Sequence, residues 1–475
     1  MKVKKNKLFT IFTIFAKEVN KLRITIVGCG KLGSLLARSL SDEEHDVTVI
    51  DTDEEALEKL DDLDVLCFKG SGVSVSTLEE AEIKRTDVII ATTRSDETNM
   101  LCCLISKKLG AKYSVARIRD PEYLKSMSFM TKELSIDFVA NPERQTAREI
   151  SRMLRLPFAA SVETFAKGLV EMVEMRVIGD EPFVNIPLSK LFATVKKLPR
   201  VLFCGVRRGN DAFIPKGDFV IEAGDSLFVT ADYATMTEFF RFLGKDTHAA
   251  ANALIVGGSR IAYYLATLLN DSSVKTKIIE HNPDKARRLD EMLSNTTIIC
   301  GDGTDQQLLL SEGLKKTDAF IALTDRDEEN LMAGLYALKT GSCRVIVKNN
   351  RTNYSSLLSE MGMDGIISPT QIACNIILRA IRARAAGSGS IQRMYSIMGG
   401  QAEALEFYAQ SGNAYISVPL SQLKIDKNSL IAVIIRDNKV NVPFGSDVIE
   451  PGDRVVVITK RKGINSLSDV LEMKL

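Results

Sequence analysis

Three glycines near the N-terminus have the spacing of a phosphate-binding turn. Gly28, Gly30 and Gly33 lie in GCGKLG, between the apolar run ITIV and a helical pattern over 32–40. In such a turn the first glycine permits a tight strand-to-helix bend, and the second lets the backbone approach a pyrophosphate. The third lets the helix pack on the strand. Because the helix N-terminus then faces the phosphates, the segment predicts a nucleotide site.

A carboxylate follows at the position where a ribose would be recognised. Asp51 ends the next predicted strand, DVTVID, 18 residues after Gly33. A carboxylate there accepts hydrogen bonds from ribose hydroxyls and repels a 2′-phosphate. The pattern favours NAD or an adenine nucleotide over NADP, without ranking NADH, NAD, ATP and ADP. A Rossmann-like scaffold that has lost its ligand is the alternative.

The elements that must position these residues occur twice in the chain. The segment GSGVSVSTLEEAEIKRTDVIIATTRSDETNM, from Gly70, recurs as GDGTDQQLLLSEGLKKTDAFIALTDRDEENL, from Gly301. In both copies strands rich in β-branched residues alternate with helical patterns, which predicts parallel βαβ units. A second segment, which contains PLSKL at 187–191 and PLSQL at 419–423, is also duplicated and has short strands separated by turns. The predicted fold class is α/β, with two Rossmann-like parallel-sheet units, each followed by a small α+β module.

These repeats divide the chain in the order A–B–A′–B′. The apolar run within residues 1–21 is too short to span a bilayer, and we expect a disordered N-terminal extension there, with a short amphipathic helix as the alternative. The run AAGSGS at 385–390 predicts a flexible joint. The remaining predicted bounds are 22–143 and 251–369 for the Rossmann-like units, 144–157 and 370–387 for two linking helices, and 158–244 and 388–475 for the small modules.

The second glycine motif is degenerate. GGSRIA keeps Gly257 and Gly258, but Ser259 replaces the second glycine of the spacing and Ala262 the third. A serine at that place puts a Cβ where a pyrophosphate would approach. Since Glu280 still stands at the ribose position, nucleotide binding by the second unit is left open.

Composition argues against several other functions. The 475 residues carry a net charge of +1, and no basic recognition helix is found, so we expect no nucleic-acid partner. Eight scattered cysteines without a CxxC pair, and only three histidines, predict no metal site. No other apolar run is long enough to cross a membrane, so a membrane role would require a partner and not direct insertion.

An NAD(H)-dependent oxidoreductase is the alternative function. It needs an acid–base residue beside the nicotinamide, and the histidines are His45, His248 and His281. None is placed for hydride transfer, and surface positions are expected for all three. We therefore predict a sensor without catalytic residues.

The A–B–A′–B′ order, with GCGKLG, SDETNM at 95–100 and VARIRDPEY at 115–123, resembles the RCK (regulator of potassium conductance, or KTN) family over residues 22–472. The resemblance implies binding of NAD or NADH, or of ATP or ADP, in the Rossmann-like units. It also implies a homo-oligomeric ring, a tetramer, that lies in the cytoplasm against the inner face of the membrane. There the ring would regulate the gate of a membrane-spanning potassium-conducting Trk subunit.

The same resemblance implies which residues contact the nucleotide. Thr93 and Arg94 follow the third predicted strand, at the carboxyl edge of the sheet where such folds bind ligands. Arg117 could pair with a phosphate, and the alternative is that it forms an ion pair at the surface. In the second copy a lysine, Lys348, stands at this position and cannot make the bidentate contact of an arginine. The full implied set is Gly28, Cys29, Gly30, Lys31, Leu32, Gly33, Asp51, Thr93, Arg94 and Arg117.

Overall fold

The computed structural model describes most of the chain. The described residues are 21–155, 161–165, 169–209, 211–245, 250–341, 344–350, 363, 365–385, 391–398, 401–461, 464 and 466–473. The predicted extension at 1–21 lies outside them except for Lys21, and the predicted joint at 385–390 lies outside except for Ala385.

The first unit is a six-stranded parallel sheet in the order β3-β2-β1-β4-β5-β6. Its central strand β4 is buried at every position, as expected when helices cover both faces of a parallel sheet. The strands are Arg23–Val27 (β1), Asp46–Asp51 (β2), Val65–Lys69 (β3), Val88–Ala91 (β4), Tyr113–Arg117 (β5) and Phe138–Ala140 (β6). The helices are Lys31–Asp42 (α1), Glu54–Glu58 (α2), Val75–Glu80 (α3), Asp96–Leu109 (α4), Pro121–Lys125 (α5) and Met127–Glu133 (α6).

Helix α7, Pro142–Arg155, leads to the first small module. The module is a five-stranded antiparallel sheet in the order β10-β9-β11-β8-β7, with two helices. Its elements are Ser161–Phe165 (β7), Val170–Arg176 (β8), Leu188–Thr194 (α8), Leu202–Arg208 (β9), Asp211–Phe213 (β10), Ser226–Ala231 (β11) and Tyr233–Phe242 (α9).

The second unit repeats the first, with the parallel order β14-β13-β12-β15-β16-β17. Its strands are Asn252–Val256 (β12), Lys275–Glu280 (β13), Thr296–Cys300 (β14), Ala319–Ala322 (β15), Arg344–Lys348 (β16) and Gly365–Ile367 (β17). Its helices are Arg260–Asp271 (α10), Pro283–Met292 (α11), Gln306–Ser311 (α12) and Asp327–Thr340 (α13), and helix α14, Pro369–Ala385, follows it.

The second module has an antiparallel sheet in the order β18-β19-β23-β21-β22 and a two-stranded sheet of β20 and β24. The strands are Ile391–Ile397 (β18), Ala402–Tyr408 (β19), Leu423–Ile425 (β20), Ser429–Arg436 (β21), Lys439–Asn441 (β22), Arg454–Thr459 (β23) and Leu471–Met473 (β24). Two parallel-sheet units, each followed by an antiparallel module, confirm the predicted fold class.

The two linking helices are exchanged between the halves. Helix α7 packs its apolar side, including Ile150 and Leu154, against α10 of the second unit. Helix α14 packs Cys374 and Ile377 into the core of the first unit, against α1. Burying an aliphatic side chain contributes about 1.5–3 kcal/mol, so each exchange joins the halves strongly.

An ion pair and a shared apolar core also hold the two halves of the chain together. The Nε atom of Arg382 on α14 lies 3.1 Å from a carboxylate oxygen of Glu43, which follows α1. The two small modules also pack together, and a Cβ added to Gly205 would lie 1.6 Å from Cε of Met398 in the other module. Among the described residues, no helix is both long and apolar enough to cross a membrane.

Candidate nucleotide-binding site

The glycine turn between β1 and α1 has the geometry that its spacing predicts. Gly28 has a φ of +99°, and a Cβ there would lie 2.9 Å from the backbone N of Thr93. A Cβ on Gly33 would lie 1.8 Å from the carbonyl oxygen of Gly28. A Cβ on Gly30 would meet nothing within 4 Å. The first and third glycines are therefore required by packing, whereas the second borders open space.

The first turn of α1 offers free backbone donors to that space. Gly30 is the N-cap residue and supplies no side-chain cap, and the first turn contains no acidic residue. The first backbone hydrogen bond of the helix runs from Ser34 N to Gly30 O, at 3.0 Å. The N–H groups before it need another acceptor, and the positive end of the helix dipole suits an anion.

Asp51, at the end of β2, holds the turn from the other side. Its Oδ2 accepts a hydrogen bond from the backbone N of Cys29, and its Oδ1 accepts one from Asp53 N at 2.9 Å. The hydroxyl of Thr52 also donates to Oδ1, at 3.5 Å, whereas Oδ2 keeps a second lone pair that can accept from a ribose hydroxyl. The thiol of Cys29 donates to the carbonyl of Ala56 at 3.1 Å, and burial raises the pKa of Cys29 to about 11, so it is a neutral packing group.

Asn99 on α4 holds two neighbouring loops together. Its Oδ1 accepts from the backbone N of Thr93 at 2.8 Å and from Thr93 Oγ1 at 2.7 Å. Its Nδ2 donates to the carbonyl of Arg117 at 2.9 Å. Our sequence interpretation assigned Asn99 no role, although its recurrence as Asn330, with the same contacts to Thr324 and Lys348, is a signal for it.

Arg117, the last residue of β5, carries a donor without an acceptor. Its Nη2 lies 3.6 Å from Oε1 of Glu143, while its Nε and the Oε2 of Glu143 are buried without a hydrogen-bond partner. Burial lowers the pKa of Arg117, and the nearby Glu143 acts in the opposite direction. Because the ordinary pKa of arginine is very high, the guanidinium stays charged. A desolvated cation with an unused donor would gain from a phosphate oxygen.

These residues surround one cavity of about 730 Å³. Nine of the ten residues implied for the first unit line it, and Gly33 lies behind the turn. The cavity is also lined by Glu143 of α7 and by Thr370 and Ala373 of α14, none of which we identified from the sequence. The second half of the chain therefore forms part of the wall of the first-unit cavity.

The turn of the second unit has the same backbone but a different helix start. Gly257 has a φ of +95°, and the Oε2 of Glu280 accepts from Gly258 N at 2.7 Å. Ser259, however, caps α10 with its own hydroxyl, which accepts from the backbone N of Ala262. The three residues predicted for this site line a smaller cavity, of about 430 Å³.

The charges around the second cavity also differ. Asp325 stands at the position of Arg94, at the constant repeat offset of the two units. The Nζ atom of Lys348, the counterpart of Arg117, lies 3.5 Å from Asp325, and Arg326 is paired with Glu329 at 2.6 Å. Lys348 and Arg326 are therefore already paired with neighbouring carboxylates.

Histidine placement corrects one expectation. His45 is buried and not at the surface, and its Nδ1 accepts from the backbone N of Leu22 at 3.4 Å. His281 is exposed, and His248 lies outside the described residues. Within the described ranges, no three histidine, cysteine or acidic side chains cluster in a way that could hold a metal ion.

Family models match both halves of the chain. The TrkA-N domain matches residues 24–142 and 253–369, and the TrkA-C domain matches residues 172–244 and 405–472. The chain is 32% identical to the Trk system potassium uptake protein TrkA of Halomonas elongata, over 93% of this chain and 97% of that protein. It is 31% identical to the protein of the same name from Vibrio alginolyticus, over 93% of this chain and 96% of that protein.

Solved structures share the fold at low identity. The GsuK RCK domain superposes with a TM-score of 0.61 and 17% identity, covering 92% of each chain. The GsuK channel bound to NAD has a TM-score of 0.61 and 16% identity, covering 92% of this chain and 77% of that one. Both similarities extend over the two Rossmann-like units and the two small modules.

Proposed function

This chain belongs to the TrkA family of potassium uptake proteins, and from that premise we propose that it is a nucleotide-sensing regulatory subunit of a Trk-type potassium uptake system. Its relatives are named for potassium uptake and not for an enzymatic reaction, in agreement with the prediction that it is not an enzyme.

One observation carries the assignment of the ligand. The cavity is lined by residues at the uncapped start of α1, by Arg117 and by Asp51. Backbone N–H groups and a guanidinium suit a pyrophosphate, and the carboxylate suits a ribose. The ligand is NAD or NADH, with ATP or ADP as the alternative. A structural relative with the same fold was solved bound to NAD.

Each chain binds one nucleotide, in the first unit. The second cavity has its helix capped by Ser259, an acid at Asp325 in place of Arg94, and Lys348 engaged by that acid. A phosphate entering there would displace a cap and meet an additional negative charge, whereas the first cavity presents free backbone donors and carries Arg94 where the second carries Asp325.

The ligand acts by its position between the halves. Residues of α14, which belongs to the second half, line the first-unit cavity, so a bound nucleotide touches both halves at once. A ligand shifts an equilibrium by its difference in affinity for two states. Nucleotides that fit the cavity differently will favour different relative positions of the halves. The chain assembles as a homo-oligomeric ring, a tetramer, in the cytoplasm against the membrane, and this change biases the gate of a membrane-spanning potassium-conducting subunit.

Calorimetric titration of the purified full chain with NADH, NAD, ATP and ADP tests the proposal. We expect saturable binding of one nucleotide per chain, strong weakening by Asp51→Ala, and little effect of the matched variant Glu280→Ala. Thermal melting of each variant checks that the fold is retained. Failure of all four nucleotides to bind would remove the sensor mechanism, and two sites per chain would contradict the assignment to the first unit.

The regulatory step needs a second measurement. Potassium flux through the membrane subunit, reconstituted with the full chain, is expected to change on nucleotide addition. With Asp51→Ala the flux should no longer respond. A flux that ignores nucleotide while the chain still binds it would contradict the regulatory role and leave the binding site standing.

A further inference from the structure

A row of arginines follows one side of α7, the helix that links the first Rossmann-like unit to its small module. The α7 stripe, as we call it, consists of Arg144, Arg148, Arg152 and Arg155. Because these residues are spaced three or four apart, they lie in one narrow strip about 16 Å long. The opposite side of the helix, with Ile150, is buried against α10. The stripe therefore lies away from that packing surface.

The two ends of the α7 stripe differ in their partners. Arg152 and Arg155 are each paired with a glutamate, at 3.2 and 3.4 Å. Arg144 and Arg148 are exposed, and within the described ranges their guanidinium groups have neither a hydrogen-bond partner nor an ion pair. The end of the stripe at the start of the helix therefore carries two cations without a paired carboxylate in the described chain.

These two charges are unfavourable for the chain by itself. Arg144 lies in the first turn of α7, where the helix dipole already places positive charge. Arg148 follows one turn later, and like charges at that spacing repel each other. Burial lowers the pKa of Arg148, and so do the neighbouring Arg144 and Arg152. An anion from outside the chain would relieve all of these effects.

The equivalent helix of the second half shows that the fold does not need these arginines. Counted from the proline that begins each helix, Gln371 of α14 takes the place of Arg144, and Asn375 takes that of Arg148. The two amides satisfy each other, since Nε2 of Gln371 donates to Oδ1 of Asn375 at 3.0 Å. Both helices are exchanged between the halves, so the exchange does not account for a pair of arginines on α7 alone.

The chemistry of the stripe fits a surface of phosphate groups. Guanidinium N–H donors match phosphate oxygens in a planar, two-point contact. None of the exposed large apolar side chains in the described ranges lies on α7, so the contact involves headgroups and not insertion into hydrocarbon. The net charge of +1 argues against a nucleic acid. At the inner face of a membrane, where the proposed function places the chain, anionic phospholipids provide such a surface.

We infer that Arg144 and Arg148 dock the chain on the phosphate headgroups of anionic lipids, with α7 lying along the membrane surface. This inference rests on the proposed function for the location of the chain, and it adds a lipid contact to the contact with the potassium-conducting subunit. Pro142 and Glu143, which precede the stripe, line the nucleotide cavity. The lipid contact and the nucleotide site therefore share one helix.

Co-sedimentation of the full chain with vesicles tests the lipid contact. We expect binding to mixed phosphatidylglycerol and phosphatidylcholine vesicles, weakened by added salt, and no binding to phosphatidylcholine alone. Arg144→Gln with Arg148→Asn installs the amide pair of α14. It should weaken vesicle binding about 30-fold, because each basic side chain near such a surface contributes about fivefold. Its melting temperature should not fall, since the repulsion within α7 is removed.

Lys190→Gln with Lys196→Gln is the matched control. It removes the same charge from the exposed surface of the first module and should change vesicle binding less than about threefold. A control that loses as much binding as the arginine variant would contradict a specific contact by α7. Every variant retains the lysines within residues 1–21, so a difference between variants does not arise there.

Three other outcomes would overturn the inference. One is an unaltered chain that ignores anionic vesicles, and another is a folded arginine variant that binds them as tightly as the unaltered chain. The third is potassium flux that needs both arginines in membranes without anionic lipid, which would assign them to a protein partner. Calorimetric nucleotide titration of the same variants separates the two proposals, because lipid binding can fail while one nucleotide still binds per chain.

Discussion

The hydroxyl of Tyr264, on α10 of the second unit, donates a hydrogen bond of 2.9 Å to the carbonyl oxygen of Arg119 in the first unit. The same hydroxyl accepts from Nδ2 of Asn141 at 3.3 Å. Burial raises the pKa of Tyr264 to about 12, so the donor proton is retained at physiological pH. The loop that follows Arg117 is thereby bound to the helix that begins at the glycine turn of the second unit.

Tyr264→Phe removes this bridge with little change in shape. We expect the free energy of unfolding to fall by about 0.5–1.5 kcal/mol, the net contribution of a typical hydrogen bond. In the unaltered chain, added NADH should slow amide hydrogen exchange in both α1 and α10. In the variant, protection of α1 should persist while that of α10 is reduced. Tyr263→Phe is the control, and equal protection of α10 in all three proteins would contradict a role for the bridge.

Gly30→Ser should separate ligand binding from folding. Gly30 has a φ of −70°, which suits any residue, and its missing Cβ borders open space. A serine there can cap α1 as Ser259 caps α10, so stability should change by less than about 1 kcal/mol. Its side chain would occupy the anion position, and nucleotide affinity should fall more than about tenfold in calorimetry, from the loss of a charge-assisted contact.

Gly33→Ala is the contrasting variant at the same turn. Its Cβ would collide with the carbonyl of Gly28, so thermal melting should show a clear loss of stability. If Gly30→Ser melts as low as Gly33→Ala, or binds nucleotide normally, the division between a packing glycine and a ligand glycine is wrong.

Arg117→Ala should weaken nucleotide binding by about 10- to 100-fold, because a hydrogen bond to a charged group contributes about 1.5–3 kcal/mol. Arg117→Lys keeps the charge without the planar fork and should give an intermediate affinity. Raising the salt concentration should weaken binding of the unaltered chain more than that of Arg117→Ala.

Lys348→Met is the matched control in the second unit, where the cation is already engaged by Asp325. It should leave nucleotide affinity unchanged, apart from any effect on folding detected by melting. A loss as large as that caused by Arg117→Ala would indicate that the second unit also binds the ligand.

Stability should depend on pH through His45. Burial lowers the pKa of His45 below 6.5, so the native chain resists a proton that the unfolded chain accepts. The stability contributed by the neutral imidazole is complete above about pH 6.5 and is lost as the pH falls from there to the folded-state pKa. The free energy of unfolding should therefore fall less steeply between pH 7 and 5 in His45→Gln than in the unaltered chain. Equal slopes in His45→Gln and in the unaltered chain would contradict this role of His45.

Local pattern was sufficient to predict the first glycine turn. The spacing of Gly28, Gly30 and Gly33 between an apolar strand and an amphipathic helix fixes the turn, and Asp51 ends its strand as the sequence indicates. Helix α1 begins one residue before the predicted start and ends two after the predicted end. The nucleotide contacts themselves remain predictions, because they depend on a ligand.

The contacts between the two halves of the chain could not be predicted, because they depend on long-range packing. The apolar sides of α7 and α14 show that each packs on something, but nothing in their spacing says which unit they cover. For that reason Glu143 and Thr370 were not expected at the cavity. The repeat offset shows from the sequence alone that Asp325 takes the position of Arg94. Its contact with Lys348 is known only from the structure. His45 appeared to lie in an acidic surface run, but the strand that follows it draws it inward.

The exchange of α7 and α14 makes the chain the equivalent of two subunits joined end to end. In a protein with a single half, each linking helix would have to cover a neighbouring molecule, and the two nucleotide turns would be identical by symmetry. When both halves belong to one chain, the two nucleotide turns no longer have to be identical. One turn can keep its ligand chemistry while the other accumulates Ser259 and Asp325, and the second half can respond to a ligand held beside the first turn.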